Sequence, residues 1–355
     1  DPAPHADPQV ARVSATARGI LSAAIVVFVS ILISSASPQP APRAPDGPIH
    51  ITINAQEIEA FEPGNPSRIR FGPLEFRGGL ELSSSYREFG GVSALRLFPD
   101  GEHFISLTDK GRWLRGRIAY QRGRPAAIED VEMAPILGPD GRPLAARGWY
   151  DTESIAMDGG TLYVGIERVN RIVRFDYGRQ GLLARGQPIP LPPGIASLPN
   201  NKGLECLEFV PIPMPGAGTL IAISERGLDS AGNIRGFLIG GPNPGEFSVV
   251  RHDDFEVSDC AILPDGALAL LERRFTWTTG VAIRIRRVPL TEFVPGAAVD
   301  GDRILSADMG YQIDNLEGLS INRASNGDLM LTMVSDDNFS RLQRTILLQF
   351  TLTGE

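Results

Sequence analysis

Five short segments of the chain share one alternation of polar and apolar positions. They read "GGVSALRL", "YDTESIAM", "KGLECLEF", "EVSDCAIL" and "DNLEGLSI", and they align on Ser93, Glu153, Glu205, Asp259 and Glu317. The residue after each of these is small: Ala94, Ser154, Cys206, Cys260 and Gly318. Two and four positions on, the side chains are apolar: Leu95 and Leu97, Ile155 and Met157, Leu207 and Phe209, Ala261 and Leu263, Leu319 and Ile321. A period of two predicts a strand. A turn signal closes each one, with "PDG" at Pro99, "DGG" at Asp158, "PMPGAG" at Pro213, "PDG" at Pro264 and "SNGD" at Ser325. A second apolar strand then ends in charge: "FISLTDK", "LYVGIER", "TLIAISER", "LALLERR" and "LMLTMVSDD".

The motif residues recur at intervals of 52 to 60 residues, room for four short strands and their loops, and helical periodicity is scarce beyond the N-terminal apolar run. Repeats of that length, made of strands alone, predict an all-β fold: a β-propeller, which removes its sheet edges by radial repetition. Five repeats are legible. The stretch from Ile49 to Ser85 supplies either an outer strand that closes the ring or most of a further blade. The expectation is therefore five or six four-stranded blades, with six preferred.

The N-terminus is a separate object. After Arg12 and Arg18, residues Gly19 to Ala36 carry no charge, and "SPQPAPRAPDGP" follows. A basic start, an apolar core and small residues at Ser34 to Ala36 fit an export signal, with an uncleaved membrane anchor as the alternative. The organisation expected is signal or anchor over 1–36, a Pro-rich linker over 37–48, and the propeller over 49–355. The propeller would then be periplasmic or secreted, or anchored with its domain outside the cytoplasm. Cys206 and Cys260 sit at one position of two repeats. Equivalent positions point the same way around a ring, so buried free thiols are expected.

The formal net charge of −8 excludes a general nucleic-acid binder, which needs a basic face. Its distribution matters more. In a propeller the inner strand of each blade lines the channel and the second strand runs back antiparallel, so the start of one and the end of the other meet at one rim. The first ring of residues is Ser93, Glu153, Glu205, Asp259 and Glu317. The second is Asp109, Glu167, Glu225, Glu272 and the pair Asp336 and Asp337. Two carboxylates 4 Å apart repel by about 4 kcal/mol at the effective dielectric of a protein surface. Such a cluster must bind cations, hold protons or pair with bases.

Hard oxygen donors without histidine or cysteine suit Ca²⁺. Glu153, Glu205, Asp259 and Glu317, embedded in strands, are the expected metal ligands. Glu225, Glu167, Glu272, Asp336 and Asp337, at strand ends, are the expected catalytic acids and bases, with Glu225 first. Lys110, Lys202, Arg168, Arg226 and Arg273 are expected to hold an anionic substrate. A purely structural reading competes: Arg168, Arg226, Arg273 and Arg274 each follow a second-ring acid or lie beside one, as an inter-blade belt of ion pairs would require. Other chemistry is thinly represented. "GGVSAL" lacks the second glycine of a nucleophile elbow, and there is no P-loop, dinucleotide fingerprint or Cys/His metal spacing.

From about Phe89 to the C-terminus, "GGVSALRLFPDG", "DTESIAM", "NKGLECLEF", "SERG", "VSDCAILPDG" and "DNLEGLSI" follow one another in an order and spacing that resembles the phytase-like family. Its description is "esterase-like activity of phytase", and its members are exported bacterial β-propeller proteins. The resemblance implies a propeller and a hydrolase acting on phosphoric or carboxylic esters. The dense Asp-rich calcium motifs of the calcium-dependent propeller phytases are not evident in this chain. Two functions follow. One is a hydrolase of small anionic or ester substrates, with Ca²⁺ orienting the ester and a rim acid activating water. The other is a calcium-stabilised binding module of the cell envelope, without turnover. In either, membrane contact is confined to the N-terminal segment.

Overall fold

The alternating segments form strands, and the strands gather into five small sheets. The computed structural model describes residues 47–353, so the apolar run and most of the linker lie outside the described residues. Among the described residues no helix is long and apolar enough to cross a membrane.

From the channel outward, blade 1 is Val92–Leu97, His103–Thr108, Arg112–Gln121 and Arg124–Pro135. Blade 2 is Thr152–Asp158, Thr161–Ile166, Arg171–Asp176 and the short Gln187–Pro188. Blade 3 is Leu204–Phe209, Thr219–Leu228, Ile234–Gly240 and Gly245–Val249, and blade 4 is Glu256–Leu263, Ala267–Thr276, Gly280–Pro289 and Asp302–Ala307. Blade 5 takes Asn315–Arg323, Leu329–Asp336 and Thr345–Leu352 from the end of the chain and Leu74–Ser83 from its beginning. The inner strands touch in a closed circle, each against the next and the fifth against the first.

Each blade is covered on both faces by its neighbours. That is why strands such as Val92–Leu97 are buried at every position rather than at alternate ones. Five apolar clusters result, one in each gap between neighbouring blades.

The ring has five blades, and the preference for six is corrected. Leu74–Ser83 pairs antiparallel with the last strand, from Leu74 opposite Leu352 to Leu82 opposite Thr345. Asn54–Ile58, with the sequence NAQEI, adds only to its outer edge. An inner strand must be buried on both faces, and a strand so polar and exposed cannot be one. Phe61 locks the closure, with its ring 5.0 Å from both Phe71 and Phe350.

Every inner strand has one irregular residue near its start, where its register against the second strand shifts. Matching blades by these pairings makes Ile155, Leu207, Cys260 and Leu319 equivalent, opposite Val164, Ala222, Leu270 and Met333. Blade 4 is thus one residue out of step with the sequence alignment, and Ser258, not Asp259, stands where Glu205 does. In a strand a slip of one residue turns every side chain to the other face.

This slip corrects the expectation of free thiols. Cys206 faces forward to blade 4 while Cys260 faces back to blade 3. They form a disulfide with Cα atoms 5.3 Å apart, closing a sequence separation of 54. In a chain-entropy account a loop of that length gives a few kcal/mol. Replacing both cysteines by alanine should therefore lower unfolding free energy by about 2–4 kcal/mol in urea melts. A loss below about 0.5 kcal/mol would show that apolar packing alone joins these blades.

The small residue after the motif acid has a steric cause. A Cβ on Gly318 would lie 2.5 Å from Val334 Cγ1 and 3.0 Å from the backbone of Ala94, so blades 5 and 1 meet too closely for a larger side chain.

Candidate active site at the channel mouth

The pairing that realigns blade 4 also decides which strand ends meet at the mouth. The equivalent positions are Asp109, Glu167, Glu225, Arg273 and Asp336. Glu272 is one residue earlier and points away from the channel. It is fully buried, accepting from Arg286 Nε at 2.8 Å and Nη2 at 2.6 Å and from Arg284 Nη2 at 3.2 Å. The placement of Glu272 in the rim is corrected.

Asp259 is displaced in the same way, into the shaft below the mouth. Arg96 reaches across the channel from blade 1 and donates to Asp259 Oδ2 at 3.1 Å. It also donates to the carbonyls of Leu207 at 2.8 Å, Cys260 at 3.0 Å and Leu319 at 2.9 Å. Its second carboxylate is Glu208, at 3.3 Å. Asp259 accepts the amides of Leu319 and Cys260 as well, both at 2.7 Å. A planar guanidinium can bind three strands at once, and here it stoppers the channel. The mouth above is a pit.

The carboxylates of that pit divide into two halves. In the first, Glu225 is held by Lys202 Nζ at 2.7 Å and Arg273 Nη2 at 3.2 Å, and Arg273 also meets Glu317 at 3.0 Å. Asn315 joins them, accepting from Arg273 at 2.6 Å and donating to Glu317 at 2.9 Å. In the second half, Asp109, Glu153 and Asp336 have no ion-pair partner among the described residues. Among the described residues Asp109 Oδ1 has no hydrogen-bond partner, and neither has Glu205 Oε2. Glu167, Glu205 and Glu225 each present an oxygen within 4.8 Å of the other two, all three buried.

This arrangement raises acid pKa values. Burial, then Glu317 and Asp151, push Asp109 up to about 8. Burial, then Glu317 and Asp109, push Asp336 up to about 10. Burial is also the main cause for Glu167, up to about 7 despite an amide bond from Gly203. Glu153 and Glu205 are raised well above the usual range by burial and by their acidic neighbours. The Arg273 pKa is also raised: burial alone would lower it, but Glu317, Glu225 and Glu205 outweigh that and keep the guanidinium charged.

Of the expected cationic residues, Lys202 and Arg273 enter the pit. Lys110 instead lies over the Phe339 ring at 3.5 Å, Arg168 over Tyr150 at 5.2 Å, and Arg226 pairs with Glu256. Ser93 donates to the Thr152 carbonyl at 2.7 Å and so stitches blade 1 to blade 2. Asp337 accepts from the Gly91 amide at 2.9 Å. Gly91 has φ +58, and a Cβ there would lie 2.4 Å from Phe339 and 2.9 Å from Asp109 Oδ2. Sequence reasoning did not single out Asp151, which precedes its strand, or Glu256 and Asn315, which open theirs ahead of the indexed position. The histidines stand apart: His103 pairs with Asp100 and His252 with Asp300, both at 2.8 Å.

No curated protein sequence matches the chain. Among solved structures, U3-55K is similar at 11% identity with a TM-score of 0.38, over 74% of this chain and 95% of that one. Glutaminyl cyclase of Myxococcus xanthus is 12% identical, over 75% and 92%, with a TM-score of 0.38. The PQQ-bound aldose sugar dehydrogenase of Streptomyces coelicolor is 13% identical, over 86% and 99%, also with a TM-score of 0.38. A family model described as "Phytase-like: Esterase-like activity of phytase" matches residues 87–339, which hold every carboxylate of the pit, and the chain belongs to that family.

Proposed function

We propose that the protein is a hydrolase of phosphoric or carboxylic esters, working in the carboxylate pit with Ca²⁺ bound there. One observation carries the reading: buried carboxylates converge with too few bases, and an oxygen of Glu205 faces no partner. Glu167, Glu205 and Glu225 fit a hard divalent cation, being all oxygen donors and close together. Glu153 and Glu317 surround them. Calcium bound there supplies positive charge to hold and polarise a phosphoryl or carbonyl oxygen.

The remaining steps fall to the chain. Glu225 has both oxygens tied to Lys202 and Arg273 and serves to position rather than to accept a proton. Asp109 is only partly covered and, among the described residues, is held by no ion pair, so it is the proton acceptor for water. The water oxygen bonds to the ester carbon or phosphorus, the bond to the leaving alcohol breaks, and the proton taken by Asp109 passes to that alcohol. Asp336 and Asp337 stand beside it, Asp337 anchoring the Gly91 turn next to Asp109. The disulfide supports an exported protein, since such bonds persist in oxidising compartments.

The test is hydrolysis of p-nitrophenyl phosphate, p-nitrophenyl acetate and a lactone, with calcium and with a chelator. Turnover that needs calcium is expected, and Asp109→Asn should cut kcat by roughly 10²-fold or more. Glu205→Gln should raise the calcium concentration needed for thermal stabilisation. Full activity in Asp109→Asn would remove that residue as the base. Calcium binding with no hydrolysis of any of the three would leave a binding module in place of an enzyme.

A further inference from the structure

Beside the pit, the mouth face carries an apolar groove that the chemistry above does not use. The second and third strands of blade 4 continue past Arg273 as a hairpin, paired as far as Thr276 opposite Gly280. Phe275 and Trp277 stand on it with 58% and 95% of their surface exposed, their rings 5.4 Å apart. Met309 packs on Gly280, where a Cβ would lie 2.8 Å from its Cγ, and Leu342 faces the same space from blade 5. Of the eleven large exposed apolar side chains among the described residues, five sit on this one rim: these four and Phe339. Single exposed apolar residues are ordinary, but a cluster beside a site marks a binding surface.

The groove is a concavity of about 590 Å³ joined to the pit. On the other side of the hairpin lies a charged hollow of about 620 Å³, lined by Arg226, Arg251, Asp253, Asp254 and Glu256, and the two share Arg273, Phe275, Val281 and Asn315. Each is the size of a small-molecule site. Arg273 and Asn315 are the same side chains that bind Glu225 and Glu317, so the wall of the pit is the floor of both hollows. An ester group seated among the carboxylates would have its remaining part led over Phe275 and Trp277.

We propose that this groove binds the apolar part of the ester, a long acyl chain, and that the natural substrate is amphipathic. The inference rests on the hydrolase reading for the ester, while the groove rests on its own surface. Aromatic rings offer large contact area at little entropic cost, which suits them to this task. Trp277, Phe275 and Leu342 are then specificity residues that touch substrate away from the reacting bond.

The experiment compares p-nitrophenyl acetate with p-nitrophenyl octanoate in the calcium-loaded wild type and in Trp277→Ser/Leu342→Ser. The octanoate should be preferred by kcat/KM, and the double variant should lose at least tenfold on it while changing less than twofold on the acetate. Equal losses on both esters would overturn the proposal. Binding is read separately, by tryptophan fluorescence during titration with octylphosphonate and methylphosphonate, with Trp277→Phe as reference. A change with octylphosphonate alone, absent in the reference, is expected. If that change occurs while no ester is hydrolysed, the groove stands and the hydrolase reading falls. If octylphosphonate has no effect but phosphatidylcholine vesicles bind through Trp277 and Leu342, the face is a membrane-docking surface and the proposal fails.

Discussion

Arg96→Met is expected to destabilise the propeller by about 3–5 kcal/mol, the range for leaving a buried charge without its partner. Arg96 and Asp259 are buried almost completely, with Glu208 close behind. Methionine fills much of the same volume, so the effect isolates charge and hydrogen bonding from packing. Two carboxylates would lose their cation, and the carbonyls of Leu207, Cys260 and Leu319 would lose their donor. Burial already pushes Asp259 up to about 6 and Glu208 up to about 7 with Arg96 present. Without it both should take up protons, and the variant should recover stability as pH falls. Asp259→Asn in the Arg96→Met background should restore part of the loss. Urea melts at pH 5 and pH 8 measure all three. An Arg96→Met loss below 1 kcal/mol at pH 8 would show that the stopper is not a structural element.

The second large effect is the dependence of stability on pH and calcium. Glu167, Asp109 and Asp336 have folded pKa values near 7, 8 and 10, above the ordinary carboxylate range near 4. A raised folded pKa means that the folded state binds more protons between the two values, so stability is greatest below the unfolded pKa and falls as pH rises. Each group contributes a slope of about 1.4 kcal/mol per pH unit within its window. With chelator present, the melting temperature should therefore fall steadily from pH 5 to pH 8. Calcium bound only to the folded state should reverse the loss, and its effect should be larger at pH 8, where the ligands are free of protons. A chelated protein equally stable at both pH values, and indifferent to calcium at pH 8, would show that the carboxylates are neutralised within the protein. Calorimetry decides it.

How much of this was legible in the sequence differs from element to element. The alternation after Glu153, Glu205 and Glu317 sufficed for the strands, and the regular interval for the propeller. Both signals are local, because a strand must present side chains to alternate sides whatever surrounds it. The convergence of Glu167, Glu225 and Asp336 with them was also legible, since two antiparallel strands return to one rim. Blade 4 defeated the alignment by one residue. "EVSDCAIL" matches "GGVSALRL" when Val257 and Ser258 are set on Val92 and Ser93, but the acid at Asp259 was the stronger lure.

That residue carried three errors with it: Asp259 in the ring, Glu272 at the rim, and two thiols facing alike. A register is fixed only by the hydrogen-bonded partner strand, which alternation along one strand does not contain. The blade count was likewise a tertiary matter, because Leu74–Ser83 looks the same as an inner or an outer strand until the last strand pairs with it. Sequence alone thus determined the repeating strands, their acidic ends and the family. The tertiary structure decided which acids share a space and which of them lack a cation, because those facts depend on distance across the ring and not along the chain.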